Sequence, residues 1–173
     1  MIPEIVTDRL RLRPHRMQDF PASAAMWADH EVTRFIGGRP FSEEEIWARF
    51  LRYPGHWSLL RFGYWAVEEQ SGSNFMGEVG FADFKRQIQP PLEGIPELGW
   101  VFVPRVHGRG YATEAVRAAL EWGKSNLSSR STFCLIHPDN LSSIRVADKC
   151  GFSRYCQTTY RNEPTLIFTR ETR

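Results

Sequence analysis

The chain has 173 residues, and its 22 Lys+Arg against 20 Asp+Glu give a formal charge of only +2. This length suits one domain with its own hydrophobic core, and the small net charge gives no reason to expect a nucleic acid or an acidic membrane as partner. No window approaches the roughly 18 apolar residues of a membrane span, so we expect a cytoplasmic protein.

The first third of the chain predicts one strand and two helices. Apolar residues alternate with arginines over residues 9–14, which indicates a half-exposed strand. Residues 17–30 are rich in Ala and carry aromatic residues at helical spacing. The run Ser42-Glu43-Glu44-Glu45 has the form of a capping box, so a second helix begins there, and we expect it to end near Tyr53, before Pro54.

The middle of the chain predicts a hairpin followed by a central strand. Residues 64–68 and 75–84 are typical of two strands joined by a turn at 71–74. Residues 97–103 are largely apolar on both faces, which predicts a central strand covered on both sides. Pro104 cannot donate to a strand ladder and ends it.

The last third predicts alternating helices and strands. An amphipathic helix covers about residues 110–125, a short buried strand 132–136, and a short helix precedes Gly151. A final pair of strands follows at 153–160 and 164–170. The fold class is therefore mixed α/β with antiparallel strand pairs, in a single domain over residues 1–173.

The segment Arg105-Val106-His107-Gly108-Arg109-Gly110 lies between the central strand and the amphipathic helix. A helix start offers unpaired N–H groups and the positive end of a dipole, and glycines let the backbone approach a phosphate. A Walker loop does not fit because Tyr111 follows Gly110, and a Rossmann fingerprint does not fit because Thr113 replaces its third glycine. A plain strand-to-helix turn is the alternative to an anion site.

This segment resembles the R/Q-x-x-G-x-G/A motif of the GNAT superfamily of N-acetyltransferases. Its continuation through Ala115, the opening Thr7-Asp8-Arg9-Leu10-Arg11-Leu12-Arg13-Pro14 and the stretch from Asn140 to Phe152 are similar to the ribosomal-protein N-acetyltransferase branch of the RimJ/RimL type. The matching pieces stand in the family's order and span almost the whole chain.

The resemblance implies a sheet of about seven strands and about four helices, splayed open between the strands at 97–103 and 132–136, with acetyl-CoA in the cleft. Asn140 and Ser143 would reach the pantetheine or thiol, although Asn140 is equally typical of a helix N-cap. The binding residues implied are Val101, Phe102, Val103, His107, Gly108, Arg109, Gly110, Tyr111, Ala112, Thr113, Asn140 and Ser143.

The resemblance also implies direct attack of an amine on the thioester. Glu97, at the start of the central strand, is the preferred general base, with a solvated strand-end carboxylate as the equal alternative and Glu78 as a rival base. A backbone N–H at Val101 or Phe102 would stabilise the oxyanion. Ser143 is the preferred acid, and Tyr155 is a second candidate.

The acceptor is a protein N-terminal amine or a small amine, bound by a pocket from about residues 27–60. Its lining, which could equally be core, would be Trp27, Phe35, Trp47, Trp57 and Tyr64.

The histidines and the three cysteines lack metal-ligand spacing, so we expect no metal and reduced, structural thiols. A monomer or homodimer is expected. A non-catalytic acyl-CoA sensor and a nucleotide-binding module are the competing functions.

Overall fold

The computed structural model describes residues 2–171, which form a mixed α/β fold of eight strands and five α-helices. The strands are β1 (Ile5–Val6), β2 (Leu10–Arg13), β3 (Tyr64–Glu69), β4 (Phe75–Ala82), β5 (Glu97–Phe102), β6 (Ser131–Ile136), β7 (Ser153–Tyr160) and β8 (Glu163–Glu171). The helices are α1 (Phe20–Trp27), α2 (His30–Thr33), α3 (Glu43–Leu60), α4 (Tyr111–Asn126) and α5 (Leu141–Lys149). No helix within this range is long and apolar enough to cross a membrane.

The strands form one sheet in the order β1-β2-β3-β4-β5-β6-β8-β7. Every neighbouring pair is antiparallel except β5 and β6. The predicted hairpins, the final strand pair and the central place of β5 are confirmed. There are eight strands rather than about seven because the two-residue β1 adds an edge to β2.

Helices cover both faces of the sheet. Side chains along a strand point alternately to the two faces, so their contacts show which helix covers which face. Trp65 and Phe81 point to one face and pack against Trp122 of α4. Glu78 points to the other face and accepts hydrogen bonds from α1 and α3. That second face carries Gly99 and Val101 of β5, so α1 and α3 form the wall above the central strand.

Helix α3 continues seven residues past the expected stop at Tyr53, to Leu60. Pro54 removes one intrahelical hydrogen bond, which is the reason for expecting an end there. Buried aromatic residues on both sides of the proline, Tyr53 and Trp57, hold the helix against the sheet. Trp57 Nε1 also donates to the carbonyl of Tyr64 (3.0 Å), so tertiary contacts override the local preference.

The helix expected over residues 17–30 is shorter and interrupted. A 3-10 turn occupies its start because Asp19 is drawn into a bidentate ion pair with Arg13 (2.7 and 2.8 Å). At the other end Asp29 has extended backbone angles, and its side chain accepts from the N–H of Glu31 (2.7 Å). Asp29 therefore caps α2 as a separate helix.

Candidate functional site

A cleft opens between the two parallel strands of the sheet. β5 and β6 are paired at a single position, Glu97 with Phe133, and separate beyond it. The N–H of Val103 donates to the carbonyl of Met76 (3.0 Å). Since antiparallel hydrogen bonds alternate, Val101 and Val103 direct their backbone groups to β4, while Trp100 and Phe102 direct theirs to the cleft.

This alternation refines the predicted stretch Val101 to Val103. Of the two residues considered for the oxyanion, Phe102 is the one whose N–H is directed into the cleft. Its carbonyl accepts from His107 Nε2 (2.8 Å), which ties the loop to the end of β5. Trp100 is a cleft residue that the sequence did not single out, because strand register was needed to find it.

The loop from Arg105 to Gly110 leads directly into α4, which begins at Tyr111. Gly108 and Gly110 have φ of 73° and 83°, the left-handed region that favours glycine. Gly110 is the N-cap and offers no side-chain acceptor to the helix.

The backbone N–H groups at this helix start are free. Within residues 2–171, no protein acceptor takes the N–H groups of residues 108–113. The N–H of His107, which was expected to join them, donates instead to the carbonyl of Pro104 (3.0 Å). Six consecutive donors at a helix N-terminus form an anion site.

The loop is braced by the opening segment of the chain. Glu114 of α4 accepts from Thr7 Oγ1 (2.7 Å), from the Arg9 N–H (3.0 Å) and from Arg9 Nε (2.7 Å). Arg9 also donates to the carbonyl of Arg109 (3.0 Å) and lies over the ring of Tyr111. Burial raises the pKa of Glu114, but the bonds from Thr7 and Arg9 outweigh it, so its net pKa is lowered.

The two arginines of the loop contact different parts of the structure. Arg109 lies over the ring of Tyr111, 5.2 Å from its centre, and stays at the helix start. Arg105, expected at the same point, donates instead to the carbonyl of Phe75 (2.7 Å). A groove of about 680 Å³ runs beside the loop along α4, and its lining includes Thr7, Gly110, Thr113, Glu114, Arg117 and Lys149.

Asn140 and Ser143 lie at the start of α5, on the β6 side of the cleft. The Asn140 side chain accepts from the N–H of Ser143 (3.1 Å) and from Ser142 Oγ (2.9 Å), so Asn140 is an N-cap. Its second role, toward a ligand, stays a prediction. Tyr155 is 58% exposed on β7, the outermost strand of the sheet.

Glu97 lies at the vertex of the cleft and forms a bidentate ion pair with Arg86. Arg86 Nη2 is 2.7 Å from Glu97 Oε1, and Arg86 Nε donates to the other carboxylate oxygen. Arg86 also donates to the hydroxyl of Tyr160 (3.2 Å) at the β7–β8 hairpin. Glu97 is only 6% exposed, so the expected alternative of a solvated carboxylate does not describe it. Its role as base stays a prediction.

Glu78, the rival base, is completely buried. Ser23 Oγ (2.7 Å), Trp27 Nε1 (3.1 Å) and the Tyr53 hydroxyl donate to its two oxygens. His15 Nε2 lies 3.6 Å away. Burial raises the pKa of Glu78, but His15 and the hydroxyl donors outweigh it, and the net pKa is lowered. This carboxylate joins α1 and α3 to β4.

Tyr64, expected only as a lining residue of the acceptor pocket, lies against the central strand β5. A Cβ added to Gly99 would be 1.9 Å from the Tyr64 hydroxyl oxygen, so this hydroxyl rests on the β5 backbone. Burial, followed by the charge of Glu97, raises the pKa of Tyr64, which keeps the phenol protonated. Tyr64 of β3 pairs with Gly80 of β4, and Gly80 pairs with Gly99 of β5. This strand register brings Tyr64 and Gly99 together on one face of the sheet.

The other aromatic residues expected in the acceptor pocket divide into core and surface. Trp27 and Trp57 are buried, and Trp57 packs against Trp65 and Trp122 on the α4 side. Trp47 is 38% exposed on α3. Phe35 stacks on His137, with ring centres 5.3 Å apart, next to the start of α5.

The chain is similar to known proteins in both sequence and structure. Residues 9–153 match the family described as acetyltransferase (GNAT) domain. The uncharacterized N-acetyltransferase YnaD of Bacillus subtilis is 29% identical over 150 residues, which are 87% of this chain and 82% of YnaD. An acetyltransferase structure from Agrobacterium tumefaciens is 27% identical, with a TM-score of 0.85, over 99% of this chain and 95% of its own.

A more distant structure shares the fold. The ribosomal L7/L12 alpha-N-protein acetyltransferase RimL, solved in complex with coenzyme A, is 15% identical. The match has a TM-score of 0.77 and covers 98% of this chain and 97% of RimL.

Proposed function

The chain belongs to the acetyltransferase (GNAT) family, and on that basis we propose that it transfers an acetyl group from acetyl-CoA to a primary amine. The amine is either a protein N-terminal amine or that of a small molecule. The observation that carries the proposal is the cleft between β5 and β6 with six free N–H groups beside it. We place this single-domain enzyme in the cytoplasm, and its free cysteines agree with a reducing compartment.

The donor fits this geometry in three parts. The free N–H groups of residues 108–113 bind the pyrophosphate. The backbone of Trp100 and Phe102 pairs with the pantetheine arm in the way that an added strand would pair. The groove along α4 has room for the adenosine end, while Asn140 and Ser143 approach from the β6 side.

The chemistry requires an uncharged amine, an oxyanion donor and a proton for the departing thiolate. Amines titrate near ~8 for an α-amine and near ~10.4 for lysine, so a base must take a proton near neutral pH. Glu97 lies at the cleft vertex, where its ion pair with Arg86 fixes the position of its side chain, and this position supports it as that base, directly or through a water. Glu78 is the weaker candidate because it is completely buried between β4 and the helices α1 and α3.

The Phe102 N–H stabilises the oxyanion as the amine attacks the thioester carbon. The C–S bond then breaks, and the thiolate takes a proton. Ser143 remains the first candidate for this proton, and the protonated Tyr64 hydroxyl beside Gly99 is the second.

The test is release of the CoA thiol from acetyl-CoA with a panel of amines, together with CoA binding by calorimetry. We expect turnover with at least one amine. Glu97→Gln should lower turnover near and above neutral pH while CoA affinity stays. Ser143→Ala and Tyr64→Phe separate the two acid candidates, because only the acid's variant loses turnover. Tight CoA binding without turnover on any amine would show a non-catalytic acyl-CoA sensor instead.

A further inference from the structure

Two arginines of α3, Arg49 and Arg52, have no carboxylate partner among the described residues, in contrast to Arg13 and Arg86 near the sheet. Arg13 is paired with Asp19 and Glu68, and Arg86 is paired with Glu97. Within residues 2–171, Arg49 forms neither an ion pair nor a side-chain hydrogen bond, and its Nε is buried without any partner. The guanidinium stacks on the rings of Trp27 and Phe41. Its terminal N–H groups have no protein acceptor in the described part of the chain, although guanidinium groups packed against a protein ordinarily find one, so these groups can bind a ligand.

Arg49 lies on the acceptor face of the sheet, the face that carries Gly99 and Val101. Its guanidinium carbon is 3.9 Å from the centre of the Trp27 ring. Trp27 in turn donates to Glu78, and Glu78 is the cross-strand neighbour of Val101 on β5. Arg49 is therefore connected to the central strand through Trp27 and Glu78.

Arg52, one helical turn further along α3, continues this surface toward the cleft vertex. The Arg52 guanidinium lies over the ring of Phe84, 5.6 Å from its centre, and Arg86 lies over the same ring at 4.8 Å. Arg86 binds Glu97 at the vertex. A row of three guanidinium groups thus runs from α3 to the proposed base.

The charge of this row is not balanced. Three guanidinium groups stand against two carboxylates, Glu97 and Glu78. The three donors to Glu78 are uncharged and do not neutralise it, so the row keeps one excess positive charge. Burial, followed by the charges of Arg49 and Arg86, lowers the pKa of Arg52, which reflects crowding of like charges. A purely cationic acceptor such as a polyamine would add to this repulsion, whereas an anionic group would relieve it.

We propose that the acceptor carries a carboxylate as well as its amine, and that Arg49 and Arg52 bind this carboxylate while the amine faces Glu97. This proposal rests on the proposed acetyltransferase function and specifies its substrate class. A free amino acid meets this requirement better than a protein N-terminus does, because it carries its amine and its carboxylate on one carbon. Guanidinium groups bind carboxylates through charge-assisted, often bidentate hydrogen bonds.

The test compares pairs of small amines that differ only in a carboxylate or a carboxamide, such as an amino acid and its amide, each with acetyl-CoA. We expect kcat/KM to be about tenfold higher for the carboxylate member, which corresponds to one charge-assisted contact. Arg49→Met keeps the apolar stem over Trp27 and should abolish this preference, by lowering kcat/KM for the carboxylate member more than for the carboxamide. Arg49→Lys should restore part of it, and Arg52→Met should weaken it.

Arg130→Met is the matched control, because Arg130 is exposed and lies in the loop between α4 and β6 rather than on α3. It should leave the preference unchanged. Equal turnover of both members, a preference for a polyamine or for an acidic peptide over the amino acids, or an equal loss on both members in Arg49→Met would overturn the proposal. If no amine is acetylated although CoA binds, the acetyltransferase proposal itself fails. Calorimetry of the amino acid against CoA-saturated protein then decides the anion site: wild-type binding that Arg49→Met loses supports it, and absence of binding overturns it.

Discussion

The buried Glu78 cluster offers a sharp test of how α1 and α3 are held on the sheet. Glu78→Leu fills the same space but leaves the Ser23 hydroxyl, the Trp27 indole N–H and the Tyr53 hydroxyl without their acceptor. Each buried donor left unpaired costs about 1–3 kcal/mol, so the free energy of unfolding should fall by about 5 kcal/mol.

Glu78→Gln is the matched control, because the amide can replace most of these bonds. Its oxygen can accept from Tyr53 and Trp27, and its NH₂ group can donate to the Ser23 oxygen once that hydroxyl rotates. Only the charge assistance is lost, so we expect about 1–2 kcal/mol. Urea unfolding at pH 7, followed by tryptophan fluorescence and analysed with a common m-value, measures both changes.

The two substitutions also differ in their dependence on pH. The net pKa of Glu78 lies below its ordinary value of 4.5. A carboxyl group with a depressed pKa stabilises the fold fully above its unfolded pKa, and this stability is lost as pH falls through the folded pKa. The difference between wild type and Glu78→Gln should therefore be constant near pH 7 and shrink below about pH 4.5.

The reasoning is refuted if Glu78→Leu costs no more than Glu78→Gln. It is also refuted if the wild-type advantage over Glu78→Gln grows on acidification. Either result would mean that the three donors find other partners, and that the carboxylate does not hold α1 and α3.

Three further substitutions test the cleft and its loop. Gly110→Ala forces a side chain into the left-handed region (φ 83°), which should lower the free energy of unfolding by about 1–2 kcal/mol. It should also weaken CoA binding measured by calorimetry; unchanged affinity would show that the cap geometry is not needed. Gly99→Ala places a Cβ 1.9 Å from the Tyr64 hydroxyl, so it should destabilise by about 2 kcal/mol, and adding Tyr64→Phe should recover part of that loss. Glu114→Gln loosens the brace behind the loop and should lower CoA affinity about threefold to tenfold. The exposed Glu44→Gln on α3, outside the groove, should not; equal effects would contradict the brace.

Much of the fold could be predicted because its signals are local. The capping box at Ser42, the two-faced apolar strand before Pro104 and the amphipathic stripe of α4 each depend on neighbours within a few residues. The stop expected at Tyr53 was wrong for the opposite reason. Trp57 of α3 is buried and donates to the carbonyl of Tyr64 on β3, and these contacts with the sheet outweigh the proline.

The sequence by itself determined the loop geometry at the start of α4, since the glycines and the helix start are encoded within the residues from Arg105 to Tyr111; anion binding there stays a prediction. It also determined the family, because motifs in a fixed order span the chain. It could not show which charges are free. Whether Glu97 meets Arg86, whether Glu114 is bound by Arg9 and whether Arg49 lacks a partner depend on side chains brought together by packing. Pairing energies act over a few ångströms in space, whatever the separation along the chain, so only the tertiary structure decided them.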